Sequence, residues 1–293
     1  MEIDFKGTGV AMVTPFNEDK TVDYIGLSSL IEYLIDGSVE FLVSLGTTGE
    51  SVALTNDEKQ NIVTFTKKEI NGRVPFVVGL GGNNTSNVVA QIKSTDFSGI
   101  DAILSVSPSY NKPNQEGIYQ HFKAISEACP TNIILYNVPG RTSSNMSAKT
   151  TLSLANDFEN IIAIKEASGD MDQIMQIIRD KPDNFKVLSG DDALTLPMIF
   201  MGAEGVISVQ AMAQPKEFSE MVRQGLKGNI EKARALHYSQ LEVIDHLFAE
   251  GNPAGVKACL KIKGLCEEHV RLPLTCISRT RYNQLKDLLT SRN

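Results

Sequence analysis

Cysteine and histidine are scarce in this chain, with four of each in 293 residues, and their placement excludes more than their number. Cys129, Cys259, Cys266 and Cys276 form no CxxC pair and no zinc-finger spacing, so free thiols in a reducing compartment are the expected state. His121, His237, His246 and His269 are scattered without HExxH spacing, which argues against a protein-built metal centre. Positive charge is also in deficit. A net charge of −7 and a pI near 5.2 argue against nucleic acid or an anionic membrane surface as a partner, although a small anionic substrate needs only local positive groups. No apolar run approaches a transmembrane span. The start, Met1-Glu2-Ile3-Asp4-Phe5-Lys6, lacks the basic and apolar regions of a signal peptide, so the cytoplasm is the expected location. With metal and paired-thiol chemistry set aside, catalysis falls to lysine, tyrosine, arginine and backbone groups.

Hydrophobic residues make up 42% of the chain, enough to bury a large core. Eight short apolar runs recur, each followed by turn residues and a helical pattern. They start near Gly9, Phe41, Val74, Ala102, Asn132, Ile161, Phe185 and Gly205. Their spacing of roughly 20 to 34 residues fits a strand, a helix and two loops. Helical stripes with polar capping residues are predicted over 23–36, 57–70, 86–96 and 116–128. Eight such alternations predict an α/β fold, a closed (β/α)8 TIM barrel; an open doubly wound sheet is the alternative. The catalytic barrel core is placed at 1–212, completed by helices after the eighth strand. Residues 213–293 are placed in a C-terminal helical extension packed on the barrel, broken at Gly251-Asn252-Pro253 and around Pro273. No Ser/Gly-rich linker, charge block or low-complexity stretch interrupts the chain.

The run Ile161-Ile162-Ala163-Ile164-Lys165-Glu166 reads as a strand buried on both faces. An ammonium group at its end must reach water, find a counter-charge such as Glu166, or lose its proton. A neutral lysine amine is the nucleophile that forms a Schiff base with a carbonyl substrate. Other unusual polar residues fall at the predicted C-terminal strand ends, where barrel chemistry sits. Gly46-Thr47-Thr48-Gly49-Glu50-Ser51 could form a nest of backbone N–H groups and hydroxyls suited to a carboxylate or phosphate; threonines capping a helix are the alternative. Tyr136, at the end of the fifth run, would neighbour Lys165 and could carry protons. Pro139-Gly140 presents Arg141, whose guanidinium could grip a carboxylate with two hydrogen bonds. Ser107-Pro108-Ser109-Tyr110-Asn111-Lys112-Pro113 is a stiff loop that projects Tyr110, either as turn chemistry or toward a neighbouring subunit. Gly190 and Gly205 would let backbone approach the lysine. Gly79-Leu80-Gly81-Gly82 begins like a dinucleotide fingerprint but lacks the third glycine and the following acidic residue, so NAD binding is rejected.

The motifs GTTGE, YNVPGRT and IKEASGD, in this order and spacing, closely resemble the dihydrodipicolinate synthase family within the N-acetylneuraminate lyase-like class I aldolases. The resemblance runs from Gly9 to Leu274. It implies a lyase that condenses pyruvate with L-aspartate 4-semialdehyde at the first committed step of the diaminopimelate and lysine pathway. It implies Lys165 as the Schiff-base residue and a proton relay of Thr47, Tyr136 and Tyr110, with Tyr110 donated by the adjacent subunit. It further implies Thr48 on the pyruvate carboxylate, Arg141 on the semialdehyde carboxylate, and the backbones of Gly190 and Ile207 lining the pocket. Beyond the covalent imine on Lys165 it implies no cofactor, and it implies a homotetramer built as a dimer of dimers. Arg141 discriminates within the group, since neuraminate lyases and ketodeoxygluconate aldolases typically lack it. A sugar-acid retro-aldolase and a non-catalytic barrel that senses pyruvate-like ligands are the competing readings.

Overall fold

Eight parallel strands close on themselves, with β1 paired to β8, in the computed structural model, which describes residues 4–290. Residues 1–3, the start of the stretch inspected for a signal peptide, and residues 291–293 lie outside the described residues. The strands are β1 (Gly7–Ala11), β2 (Phe41–Ser44), β3 (Phe76–Gly79), β4 (Ala102–Val106), β5 (Asn132–Asn137), β6 (Ile161–Glu166), β7 (Lys186–Ser189) and β8 (Gly205–Ser208). The closed barrel is therefore the observed form, and the open sheet is excluded. Boundaries shift slightly from the sequence expectation. β1 begins at Gly7 rather than Gly9, where the Gly7 N–H meets the Glu204 carbonyl at 2.9 Å. β3 begins at Phe76 rather than Val74 because Pro75 has no N–H to give the ladder.

The four helices named above form as α1 (Tyr24–Asp36), α2 (Asn56–Ile70), α3 (Thr85–Ser94) and α4 (Gln115–Ala128). Their starts are fixed by side chains that take up orphan backbone N–H groups: Asp23, Thr55, Asn84 and Asn114, with a full capping box between Thr55 and Glu58. α3 ends at Ser94, short of residue 96, because Thr95 turns to extended backbone and bonds the Gln91 carbonyl through its hydroxyl. Next come α5 (Pro139–Thr142), α6 (Ala148–Asp157), α7 (Met171–Asp180), α8 (Thr195–Phe200) and α9 (Gln210–Ala213). The chain ends in α10 (Pro215–Leu226), α11 (Ile230–Phe248), α12 (Ala254–Ile262) and α13 (Arg279–Thr290).

Side chains alternate along each strand. One set, including Ala11, Val43, Val77, Leu104, Ile134, Ala163, Leu188 and Ile207, fills the barrel interior. The other set packs under the helices. α10 lies against α8, β1 and β8, so the helix of the eighth unit comes after residue 212. The apolar cluster beneath it continues through Val243, Leu247, Val256, Leu260, Leu285 and Leu289, so the terminal helices share the barrel's own core. Among the described residues no helix is long and apolar enough to cross a membrane.

Candidate active site

β5 and β6 pair so that Tyr136 sits beside Lys165. Both side chains follow Ile134 and Ala163 by two positions and therefore face the barrel interior. Lys165 Nζ lies 4.5 Å from the centroid of the Tyr136 ring, and the two residues are only 5% and 7% exposed. The expected alternative, a lysine that snorkels to water or pairs with Glu166, is not what forms. Glu166 is the next residue of the strand, so it points away from the interior. It accepts hydrogen bonds from Asn137 Nδ2 at 3.2 and 3.1 Å, Ser168 N at 2.8 Å and Gln173 Nε2 at 3.1 Å. Burial pushes its carboxyl above the usual range, and these donors oppose the shift. Among the described residues no carboxylate forms an ion pair with Lys165. Its amine lies instead over the face of the Tyr136 ring.

Asn137 carries a function that its sequence position did not announce. Its Nδ2 reaches Glu166 and Asn145 Oδ1 (2.8 Å), and its Oδ1 accepts from Met146 N at 3.0 Å. The segment between Tyr136 and Met146, which includes Arg141, is thereby pinned to the outer face of β6. Arg141 itself is exposed, its backbone N–H bonded to the Val138 carbonyl at 2.9 Å. Its guanidinium has no carboxylate partner among the described residues. That leaves it available to an incoming anion at the rim.

Gly190 and Ile207 close the interior side. The Gly190 N–H bonds the Glu166 carbonyl at 2.7 Å. A Cβ at Gly190 would stand 3.0 Å from Lys165 Cε and 2.7 Å from the Ala167 Cβ, so glycine is what makes room for the lysine stem. Ile207 is buried on β8 in the same interior cluster as Tyr136. Nearby, Asp192 ties the ends of β7 and β8 together. It accepts from Ser208 Oγ at 2.6 Å, from Val209 N at 3.2 Å and from Gln210 N at 3.0 Å. Burial raises its pKa to about 6 against the pull of those donors.

The turn at residues 46–50 forms at the end of β2, but it uses part of its own donor set. The N–H groups of Gly49 and Glu50 bond the carbonyls of Gly46 and Thr47, each at 3.1 Å. Among the described residues, the N–H groups of Thr47 and Thr48 meet no protein acceptor, so the nest is narrower than the expected one. The alternative of capping threonines fails. The residue before the short 3-10 helix Ser51–Ala53 is Glu50, with no side-chain cap. Leu45 holds φ +58°, and its carbonyl would lie 2.2 Å from a Cβ on residue 79. Gly79 thus serves close backbone packing, not a dinucleotide.

Thr48 is 3% exposed, and its Oγ1 accepts from Asn252 Nδ2 at 2.9 Å. Glu50 reaches Lys257 Nζ at 2.5 Å and the Arg271 N–H at 2.9 Å. Tyr110 stands apart from this group. It is 89% exposed at φ +70°, and its N–H touches the Arg141 segment through the Thr142 carbonyl at 3.3 Å. No hydrogen bond joins the hydroxyls of Thr47, Tyr136 and Tyr110 among the described residues of the single chain. In sum of geometry, an amine and a phenol lie in an apolar barrel mouth, backbone donors and a threonine hydroxyl sit at one strand end, and a free guanidinium stands at the rim. That set can hold a small carbonyl compound bearing a carboxylate and form an imine with it.

Residues 4–292 match the dihydrodipicolinate synthetase family. A 4-hydroxy-tetrahydrodipicolinate synthase of Flavobacterium psychrophilum is 54% identical over 288 residues, covering 98% of each chain. The enzyme of that name from Parabacteroides distasonis is 50% identical, covering 98% of this chain and 97% of its own. The crystal structure of dihydrodipicolinate synthase from Aquifex aeolicus superposes with a TM-score of 0.95 at 42% identity, covering 99% of this chain and 98% of its own. The chain belongs to the dihydrodipicolinate synthetase family.

Proposed function

We propose that this chain condenses pyruvate with L-aspartate 4-semialdehyde to give 4-hydroxy-tetrahydrodipicolinate and water, at the entry to diaminopimelate and lysine synthesis. The observation that carries this reading is the Lys165 amine held over the Tyr136 ring in the barrel mouth, with Arg141 unpaired at the rim. The amine attacks the pyruvate ketone, and loss of water gives an iminium. The iminium draws electrons from the methyl group, which loses a proton and becomes an enamine. The enamine carbon attacks the aldehyde, forming the C–C bond. Attack by the semialdehyde's own amine on the imine carbon closes a six-membered ring and returns Lys165 free. Tyr136 moves protons in these steps, and the pyruvate carboxylate lies on Thr47 and Thr48. Arg141 holds the carboxylate of the semialdehyde, and the backbones of Gly190 and Ile207 line the pocket. The imine is itself the electron sink, so the reading invokes no metal or resident cofactor. The cytoplasm is the proposed location. A coupled assay tests the reaction: pyruvate and semialdehyde are consumed together, and N-acetylneuraminate or 2-keto-3-deoxygluconate yields no pyruvate. Cleavage of a sugar acid without condensation would contradict it.

The proposed assembly is a homotetramer, a dimer of dimers, in which Tyr110 completes the proton relay of the neighbouring subunit. Its 89% exposure and outward loop support that role. Tyr110→Phe is expected to impair turnover. Mixing that variant with Lys165→Ala under verified subunit exchange is expected to restore activity at a fraction of sites. Exchange without any recovery would place both residues within one chain.

A further inference from the structure

The carboxylate-binding turn is held from behind by the far end of the chain. Asn252 lies between α11 and α12, and its Nδ2 donates to Thr48 Oγ1 at 2.9 Å. A threonine hydroxyl has one proton and two acceptor lone pairs. One lone pair is taken by the amide, and the hydroxyl's proton has no protein acceptor among the described residues. The hydroxyl is thereby set to donate to whatever enters the site. An ionised carboxylate, which only accepts, is matched to it. Asn252 Oδ1 is buried without a hydrogen-bond partner, so the amide's own oxygen does nothing to favour this orientation. An unmatched buried acceptor is destabilising, and in a native fold it calls for a reason.

The unit that carries Asn252 is fastened to the same turn a second time. Lys257, on α12, is buried against Glu50 at 2.5 Å, donates to the His269 carbonyl at 2.7 Å, and sits 4.1 Å from the centroid of the Phe16 ring. The Arg271 N–H takes the other Glu50 oxygen at 2.9 Å. Glu50 follows Thr48 by two positions, so the ion pair fixes the backbone while the amide fixes the hydroxyl.

We propose that Asn252 is a positioning residue whose amide sets the Thr48 hydroxyl as a donor to the carboxylate of the 2-oxo acid, which makes the C-terminal helical unit part of the substrate site. This rests on the reading in which Thr48 receives the pyruvate carboxylate. The test titrates pyruvate against the full-length protein, traps the imine with borohydride and reads the fraction of modified chain by mass spectrometry. Asn252→Ala is expected to raise the half-saturating pyruvate concentration roughly tenfold, the scale of one hydrogen bond to a charged group. Asn252→Asp is expected to raise it further, because a carboxylate would take the Thr48 proton and repel the substrate anion. Thr48→Val also weakens binding; adding Asn252→Ala to it is expected to change nothing more, and Asn252→Asp is expected to cost less there than beside an intact Thr48, because only the repulsion of the substrate anion remains. Turnover at saturating pyruvate should move far less than the half-saturating concentration. Should Asn252→Ala fail to fold, the cycle with the near-isosteric Asn252→Asp decides the matter alone. Parental pyruvate binding in Asn252→Asp would overturn the inference, as would an equal loss with and without Thr48. An unsubstituted protein that traps no pyruvate at all would overturn the functional reading and this inference together. Trapping that ignores Asn252 would overturn only the latter.

Discussion

Tyr136→Phe is expected to lower turnover roughly 10²- to 10⁴-fold, the range for a positioned acid–base group, with the fold intact. The ring packs in the barrel interior with Ile134, Leu188 and Ile207, and phenylalanine keeps that packing. The phenol makes no hydrogen bond to the protein among the described residues, so its removal orphans no buried partner. Lost activity would therefore report lost proton transfer. The comparison is turnover against the midpoint of thermal unfolding. A loss below about tenfold at unchanged stability would remove Tyr136 from the proton path.

Arg141→Ala is expected to cost about 2 to 5 kcal/mol in kcat/KM toward the semialdehyde, the usual cost of removing one partner from a desolvated charge pair. Because Arg141 is exposed in the free chain, the lower end of that range is the better expectation. Imine formation with pyruvate should persist. The segment carrying Arg141 stays anchored through Asn137, Asn145 and Met146, so the truncation removes the guanidinium and little else. Steady-state kinetics in the semialdehyde, set beside borohydride trapping of pyruvate, separates the two carboxylate sites. Collapse of pyruvate trapping with an unchanged semialdehyde response would show that the two assignments are exchanged.

The barrel was legible because its signals are local. Runs such as Ile161–Ile164 announce strands buried on both faces, and turn residues mark their ends. Sequential parallel strands pair with their neighbours, so the sequence alone sets Tyr136 beside Lys165. Lys165 stood out because a charge ending an apolar run is costly unless it is used. Contacts built across long separations were not legible. Asn252 with Thr48 and Lys257 with Glu50 are 204 and 207 residues apart, and asparagine, lysine and glutamate are ordinary surface residues. The sequence leaves Glu166 as a possible partner for Lys165, yet strand alternation sends it to Asn137 and Gln173 instead. The donors consumed within the 46–50 turn depend on backbone torsions, including the left-handed Glu50, and no composition rule reports those. The helix that completes the eighth unit, α10, falls after residue 212 because the short α9 comes first after β8.

The central claim is that Lys165 is the residue that holds the substrate. Lys257 is the sharpest internal control, since it is also buried, but Glu50 and the His269 carbonyl occupy its ammonium. Incubation with pyruvate and borohydride, followed by digestion and mass spectrometry, is the direct measurement. One pyruvate-derived group per chain on Lys165, with loss of activity, is the predicted result. An adduct on Lys112 or Lys257 with Lys165 unmodified would contradict it.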